Sequence, residues 1–293
     1  MYLALLISVC LLLALLWAWR VRQRQQRRQA RLSWNPPDHW DAACRRHIRW
    51  YPRLPPADRR RLLQLAAVFI DEKRFEACGG LEQVTEDMQV VIAALACALV
   101  LHRPPPHYPR LRSILVYPSG FEVPPDPGGF VRADPYQTTD PIDAEAGELV
   151  GESWLHGSVV LAWDNIVHPP EPAERELGVD NVALHEFAHQ LDEDSAAGEG
   201  VPLLDRRQDY AEWGRVFSEA FKRLEARVNR GASTALDPYA ATSPGEFFAV
   251  ATEAFFERPE PLRRAYPEVY RQLAKFYGVD LAAPDAGASG DAP

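Results

Sequence analysis

The stretch Asn181–Asp192, NVALHEFAHQLD, constrains this chain more than any other, because it places two histidines four residues apart. On an α-helix, residues i and i+4 lie one above the other on the same face, so the imidazoles of His185 and His189 can bind one Zn2+ together. Glu186 follows the first histidine and is expected to border the open side of the metal. There its carboxylate can take a proton from a metal-activated water. The stretch therefore predicts a zinc site with a general base beside it.

The remaining residues of this stretch favour a helix that is buried on one side. Apolar residues recur at positions i, i+3, i+4 and i+7, and Asp180 or Asn181 can cap the first turn. The apolar positions are Leu184, Phe187, Ala188 and Leu191. The alternative is a solvated surface of histidine and glutamate, since short patterns of this kind also arise by chance. We prefer the zinc site because the helical setting is the one that its chemistry requires.

A catalytic zinc ion held by two histidines needs a third protein ligand and one position left for water. The predicted helix 244–257 offers three candidates, Glu246, Glu253 and Glu257. Glu246 and Glu253 are two helical turns apart and share a face, so spacing alone does not choose between them. Glu246 also has a structural alternative, because Ser243 three residues before it predicts a capping box at the helix N-terminus. The residues by themselves leave the third ligand open.

Periodicity and helix breakers outline the rest of the fold. Helices are predicted at 57–75, 85–102, 205–229, 244–257 and 261–277, and short strands at 113–117 and 157–163. This order of elements predicts an α+β domain, mostly helical with a small sheet. We assign a zinc metallopeptidase domain to residues 57–280, a basic and Pro/Trp-rich lead-in to 20–56, and a disordered tail to 281–293. The second strand is the candidate for pairing with an extended substrate.

The N-terminus carries a long apolar run, residues 2–19, followed by six arginines before residue 32. This run is close to the minimum length of a helix that spans a bilayer, and it lacks the features of a cleaved signal peptide. The positive-inside rule then predicts a transmembrane anchor of the inner membrane, single-pass, with the catalytic domain in the cytoplasm. We interpret the arginines as a flank that touches anionic headgroups.

Charge and cysteine content exclude several classes of protein. The formal net charge is −9 over 293 residues, which argues against nucleic acid as a partner. The four cysteines, Cys10, Cys44, Cys78 and Cys97, show no CxxC spacing and no disulfide framework. They are therefore expected to be free thiols in a reducing compartment.

Three blocks of sequence, taken together, resemble the Mlc titration factor A family of zinc-dependent peptidases. They are WLHGSVVLAW from Trp154, the metal stretch from Asn181, and DPYAATSPGEFFAV from Asp237. The likeness extends over roughly residues 58–277. Members of this family resemble the catalytic domain of anthrax lethal factor, so the likeness implies a zincin-like fold whose third zinc ligand is a glutamate.

The resemblance implies a role for each residue that matches the family pattern. His185, His189 and Glu246 would bind one Zn2+ per chain, Glu186 would be the general base, and Tyr239 would donate a hydrogen bond to the oxyanion. It also implies an aminopeptidase-like activity on peptide or protein substrates, and in enteric relatives binding to Mlc, a repressor of sugar uptake. A second hypothesis is therefore a regulatory protein that sequesters a transcriptional regulator, with the zinc site secondary. A third, a structural zinc domain, requires a fourth protein ligand.

Overall fold

The computed structural model describes residues 2–119, 157–167, 181–195 and 199–282. Within these ranges the chain is mostly helical with one small sheet, as predicted. The sheet has three parallel strands, of which the sequence predicted two. The helices are α1 (Tyr2–Leu32), α2 (Asp38–His47), α3 (Pro56–Glu72), α4 (Glu86–Ala98), α5 (Asp164–Val167), α6 (Val182–Glu193), α7 (Asp209–Val228), α8 (Pro244–Glu257), α9 (Pro259–Ala265) and α10 (Pro267–Tyr277). The strands are β1 (Arg74–Ala77), β2 (Ser113–Tyr117) and β3 (Ser158–Ala162), and 3-10 turns lie at Tyr51–Arg53 and Pro238–Ala241.

Two predicted helices end early and a third is divided. The helix predicted at 85–102 ends at Ala98. The helix predicted at 57–75 ends at Glu72, because the residues that follow pair with β2 as strand β1. The helix predicted at 261–277 is two helices, α9 and α10, which meet at Pro267. Proline has no N–H to donate into the preceding turn, so it begins a new helix there.

Both ends of the predicted domain are packed beyond their expected limits. Part of the lead-in belongs to the globular core, because Trp40 and Trp50 are buried in it. At the other end, the backbone N–H of Ala282 donates to the hydroxyl of Tyr270 at 2.8 Å. Packing therefore continues to residue 282, and residues 283–293 of the predicted tail lie outside the described residues.

The sheet is parallel, with β2 between β1 and β3. Ile114 and Val116 of β2 and Val159 and Leu161 of β3 are buried, which gives the alternating pattern of a sheet with one packed face. β3 lies at an edge of the described sheet, and α6 packs against it. Residues Trp154–His156, which begin the first family block, lie outside the described ranges.

Helix α4 is the centre of the core because it is apolar around its whole circumference. Every residue from Val90 to the end of the helix at Ala98 is buried, and so are the three residues that follow. Helices α2, α3 and α6 pack against α4. Next to it, the ring of Phe69 meets the rings of Tyr108 and Phe187 edge to face, with centroids 6.0 and 5.8 Å away. These contacts tie α6, which carries Phe187, to α3, and so fix the helix that bears both histidines.

The predicted membrane anchor is wrong. Among the helices that the structure describes, none is both long enough and apolar enough to cross a membrane. The apolar run at residues 2–19 is the first part of one uninterrupted helix, α1, which continues through the arginines to Leu32. The single-pass location in the inner membrane, with a cytoplasmic catalytic domain, is therefore not supported.

Arginines of α1 contact the last turn of α3. Arg31 makes a two-pronged hydrogen bond to Asp71, with N–O distances of 2.6 and 2.8 Å. Arg24 and Arg28 lie 3.0 and 3.6 Å from the carboxylate oxygens of Glu72. Half of the arginine run therefore contacts protein carboxylates, which its interpretation as a flank for headgroups did not foresee.

Gly200 joins the end of α6 to the beginning of α8. Its backbone N–H lies 2.9 Å from both carboxylate oxygens of Asp192, and its carbonyl accepts from the indole N–H of Trp213 at 3.0 Å. The residue has a φ of +81°, and a Cβ added to it would lie 2.3 Å from the carbonyl oxygen of Pro244. Only glycine fits this position, so the loop after the histidine helix is held against the first turn of α8.

We expect Gly200→Ala to lower the free energy of unfolding by about 3 kcal/mol or more, because a backbone clash adds to the cost of a left-handed conformation. Gly80→Ala is the matched control, since Gly80 has a φ of +84° but no atom lies within 4 Å of its added Cβ. Urea unfolding followed by tryptophan fluorescence measures both variants. Equal losses would contradict the packing role of Gly200.

Candidate metal centre

Three side chains from two helices converge on one point. The Nε2 atoms of His185 and His189 lie 3.0 Å apart on α6. Glu246 of α8 places its Oε2 atom 3.1 Å from Nε2 of His185 and 3.3 Å from Nε2 of His189. The helical spacing of the histidines produces the first distance, and the packing of α8 against α6 produces the other two.

These distances fit a single metal ion. In a tetrahedral zinc site with bonds of about 2.0–2.1 Å, neighbouring ligand atoms lie about 3.3–3.4 Å apart. Two imidazole nitrogens and one carboxylate oxygen are also a donor set of catalytic zinc sites. Beside them, the buried Oε2 atom of Glu186 has no hydrogen-bond partner among the described residues. The residues therefore suit a bound metal with a small polar molecule next to it.

The helix start and the ligand position of Glu246 are compatible. Its backbone N–H donates to the hydroxyl of Ser243 at 3.1 Å, which caps α8 as predicted. Its side chain does not fold back onto Ser243 to complete a capping box but extends toward His185 and His189. Ser243 therefore caps the helix, and the carboxylate of Glu246 remains available beside the two histidines.

The other two candidate ligands contact α6 and the residue that caps it, Asn181. Glu253 is buried, and its Oε1 atom lies 2.6 Å from Nδ1 of His185, while its Oε2 atom accepts from the backbone N–H of Asn181 at 3.1 Å. Glu257 accepts from the side chain of Asn181 at 3.3 Å. The sequence indicated that Glu246 and Glu253 share a helix face. It did not indicate that they contact opposite nitrogens of the His185 imidazole.

Asn181 also shows why α6 starts where it does. Its side-chain oxygen accepts from the backbone N–H groups of Ala183 and Leu184 at 3.1 and 3.3 Å, so it is the N-cap that the sequence offered. Because the backbone N–H of Asn181 also donates to Glu253, the first turn of α6 is fixed to α8. His185 lies one turn further along α6, and Glu253 of α8 contacts it as well.

The surroundings of His185 favour positive charge. Burial lowers the pKa of this imidazole, but its hydrogen bonds to Glu246 and Glu253 outweigh burial and raise the pKa to about 10. For Glu246, burial raises the pKa of the carboxyl, whereas its contacts with His185 and His189 hold the pKa well below its ordinary range. A cation is therefore stabilised where the three ligand atoms meet.

Glu186 follows the first histidine, and its carboxylate is buried where both histidines act on it electrostatically. It is 5 % exposed. Burial is the main cause that raises the pKa of its carboxyl to about 7, and the two histidines act in the opposite direction. A carboxyl whose pKa lies close to neutral can both accept and return a proton.

Tyr239 reaches the site from the second 3-10 turn. Its backbone N–H donates to the carboxylate of Asp237 at 2.7 Å, which fixes the turn. Its ring lies 6.3 Å from the ring of His185, and its hydroxyl hydrogen-bonds to Glu246. Burial, and then the neighbouring carboxylate of Glu246, raise the pKa of this tyrosine, so the hydroxyl keeps its proton and remains a donor.

Comparison with known proteins agrees with this geometry. The family described as glucose-regulated metallo-peptidase M90 matches residues 19–278. An uncharacterized protein of Synechocystis is 37% identical over 265 residues, which cover 89% of each chain. Mlc titration factor A of Klebsiella pneumoniae is 34% identical over 78% of this chain and 81% of its own length. Its counterpart from Pectobacterium atrosepticum is 32% identical over 83% of this chain and 86% of its own length.

The relatives confirm the resemblance that the three sequence blocks indicated. The matched range, residues 19–278, contains the three residues that could hold a metal ion, His185, His189 and Glu246. With a converging group of two histidines and a glutamate at the meeting point of α6 and α8, the chain belongs to the glucose-regulated metallo-peptidase M90 family.

Proposed function

We propose that this chain is a zinc-dependent peptidase with aminopeptidase-like activity and a zincin-like fold. The observation that carries the proposal is the convergence of His185, His189 and Glu246 within 3.0–3.3 Å of one another, with the buried carboxylate of Glu186 beside them. The group that could hold a metal contains three ligating residues among those described. Three protein ligands favour a catalytic site over a structural one, which has four.

The chain supplies the base next to the metal ligands. When bound, zinc would lower the pKa of a water molecule and polarise the carbonyl of the scissile bond. Glu186 would take the proton of the attacking water and give it to the leaving amine. The buried Oε2 atom of Glu186 has no hydrogen-bond partner within the described ranges, which supports this role, because such an oxygen can bind a water or a substrate.

Tyr239 would stabilise the oxyanion that develops on the substrate carbonyl. Its hydroxyl already contacts Glu246, so it lies at the edge of the ligand group rather than in the core. A preorganised hydrogen-bond donor next to the ligand group stabilises the transition state most in a partly buried site, because water does not compete there. Strand β3 would bind the substrate, because it lies at an edge of the described sheet and packs on α6.

A second candidate function follows from the relatives. Two of them carry the name Mlc titration factor A. We propose as the alternative that this chain binds a transcriptional regulator and that its metal site is secondary. A Glu186→Gln variant that loses hydrolysis but keeps the biological effect of the wild type would favour this alternative.

The metal is tested with three glutamates of one helix. We expect Glu246→Ala to lose most of its zinc after dialysis, because two histidines alone bind weakly. Glu253→Gln should weaken zinc binding by about 10- to 100-fold, since it changes the partner of His185 and not a ligand. Glu257→Gln is the matched control and should bind zinc like the wild type. Chelator competition measures all three, and full zinc occupancy in Glu246→Ala would move the third ligand elsewhere.

The base is tested by Glu186→Gln, which keeps the size of the side chain. We expect zinc content to stay stoichiometric and peptide hydrolysis to fall by at least ~100-fold, because the amide does not take a proton. Glu193→Gln lies on the same helix, and Gln190 donates a hydrogen bond to the side chain of Glu193, so this variant should keep its activity. Hydrolysis near the wild-type rate in zinc-loaded Glu186→Gln would contradict the role of this residue.

The oxyanion donor is tested by Tyr239→Phe, which keeps the ring and removes the hydroxyl. We expect kcat to fall by roughly 100- to 1000-fold with KM little changed, since the lost hydrogen bond forms in the transition state. Tyr266→Phe removes the hydroxyl of a buried tyrosine whose ring packs against Phe247 and Arg223, and it should leave kcat unchanged. If Tyr239→Phe keeps full kcat while loaded with zinc, Tyr239 only packs against the site.

A further inference from the structure

A groove of about 830 Å3 lies between α1 and the end of α3, separate from the metal centre. Its lining carries six positive side chains and two negative ones, a formal net charge of +4. The positive residues are Arg20, Arg24, Arg27, Arg28 and Arg31 of α1 and Arg112 at the start of β2, and the negative ones are Asp71 and Glu72. This concentration of positive charge contrasts with the net charge of −9 of the whole chain.

The helical period puts the five arginines of α1 that line the groove on one face of this helix. Starting from Arg20, they recur at i, i+4, i+7, i+8 and i+11, which is the spacing of a single helical stripe. Arg22 lies on the same helix but off this stripe, and it does not line the groove. The arrangement therefore depends on how α1 packs against α3, and not only on a basic sequence.

The two carboxylates of the groove are already engaged. Arg31 holds Asp71 with two hydrogen bonds, and Arg24 and Arg28 share Glu72. The three remaining arginines make no ion pair with any residue that the structure describes. These are Arg20, Arg27 and Arg112, and their side chains are exposed to solvent.

Guanidinium groups around one groove repel each other unless an anion lies between them. Arginine matches phosphate in particular, because its planar fork donates two parallel hydrogen bonds to two phosphate oxygens. We propose that this groove binds the phosphate of a ligand with at least two negative charges, such as a phosphate monoester or a diphosphate. Arg20, Arg27 and Arg112 bind the ligand, while Arg24, Arg28 and Arg31 hold α1 in position on α3.

The test uses the full chain and inorganic pyrophosphate as the probe, at 0.15 M salt so that weak surface attraction is screened. Isothermal titration calorimetry should give one site per chain. Arg27→Gln and Arg112→Gln should each raise Kd by at least ~10-fold, because each removes a bidentate donor. Arg22→Gln removes the same charge from the same helix and should leave Kd unchanged. Peptide hydrolysis should be the same in all of these variants, since none touches the metal centre.

Two outcomes would overturn the proposal. If Arg22→Gln weakens binding as much as Arg27→Gln, the attraction depends on total charge and no site exists. If pyrophosphate does not bind the wild type, and vesicles of phosphatidylcholine with phosphatidic acid bind it no better than vesicles of phosphatidylcholine alone, the groove does not recognise phosphate. Binding that depends on phosphatidic acid and is lost in Arg27→Gln would support the proposal and identify a lipid headgroup as the source of the phosphate.

Discussion

The site depends on the imidazole of His185, because two carboxylates of helix α8 contact its two nitrogens. Glu246 approaches Nε2 at 3.1 Å and Glu253 approaches Nδ1 at 2.6 Å. The two carboxylates are seven residues apart, two turns of one helix, so they share a face and contact the ring from opposite sides. One helix therefore carries a candidate metal ligand and also the group that orients another ligand. Such outer carboxylates fix the ring and raise the basicity of the ligating nitrogen.

Burying this many charges is costly unless each has a partner. Four phenylalanines on α8, Phe247, Phe248, Phe255 and Phe256, offset part of that cost by filling the core on the other faces of the helix. The carboxylates then occupy a narrow strip that faces α6. In the part of the chain that the structure describes, one oxygen of the buried Glu186 carboxyl has no hydrogen-bond partner, and the proposed reaction uses this carboxylate as its base.

The position of α1 changes how the N-terminus is understood. The arginine half of this helix is bound to α3 through Asp71 and Glu72, and the family match starts at residue 19, where that half begins. The arginines are thus part of the domain. They also form the rim of a groove whose positive charge exceeds what the nearby carboxylates neutralise.

The sequence by itself determined the elements whose signals are local. The spacing of His185 and His189, the N-cap at Asn181 and the cap at Ser243 depend on residues within two turns of each other, so periodicity and capping rules were enough to predict them. Only the tertiary structure showed that the carboxylate of Glu246 meets both histidines, which residue contacts Nδ1 of His185, and what the arginines contact. Each of these joins residues that are distant along the chain, and their meeting depends on how α8 packs on α6 and α1 on α3. Spacing within one helix fixes a face but does not state what that face will contact, which is the physical reason that spacing alone left Glu246 and Glu253 equivalent and that only the resemblance favoured Glu246.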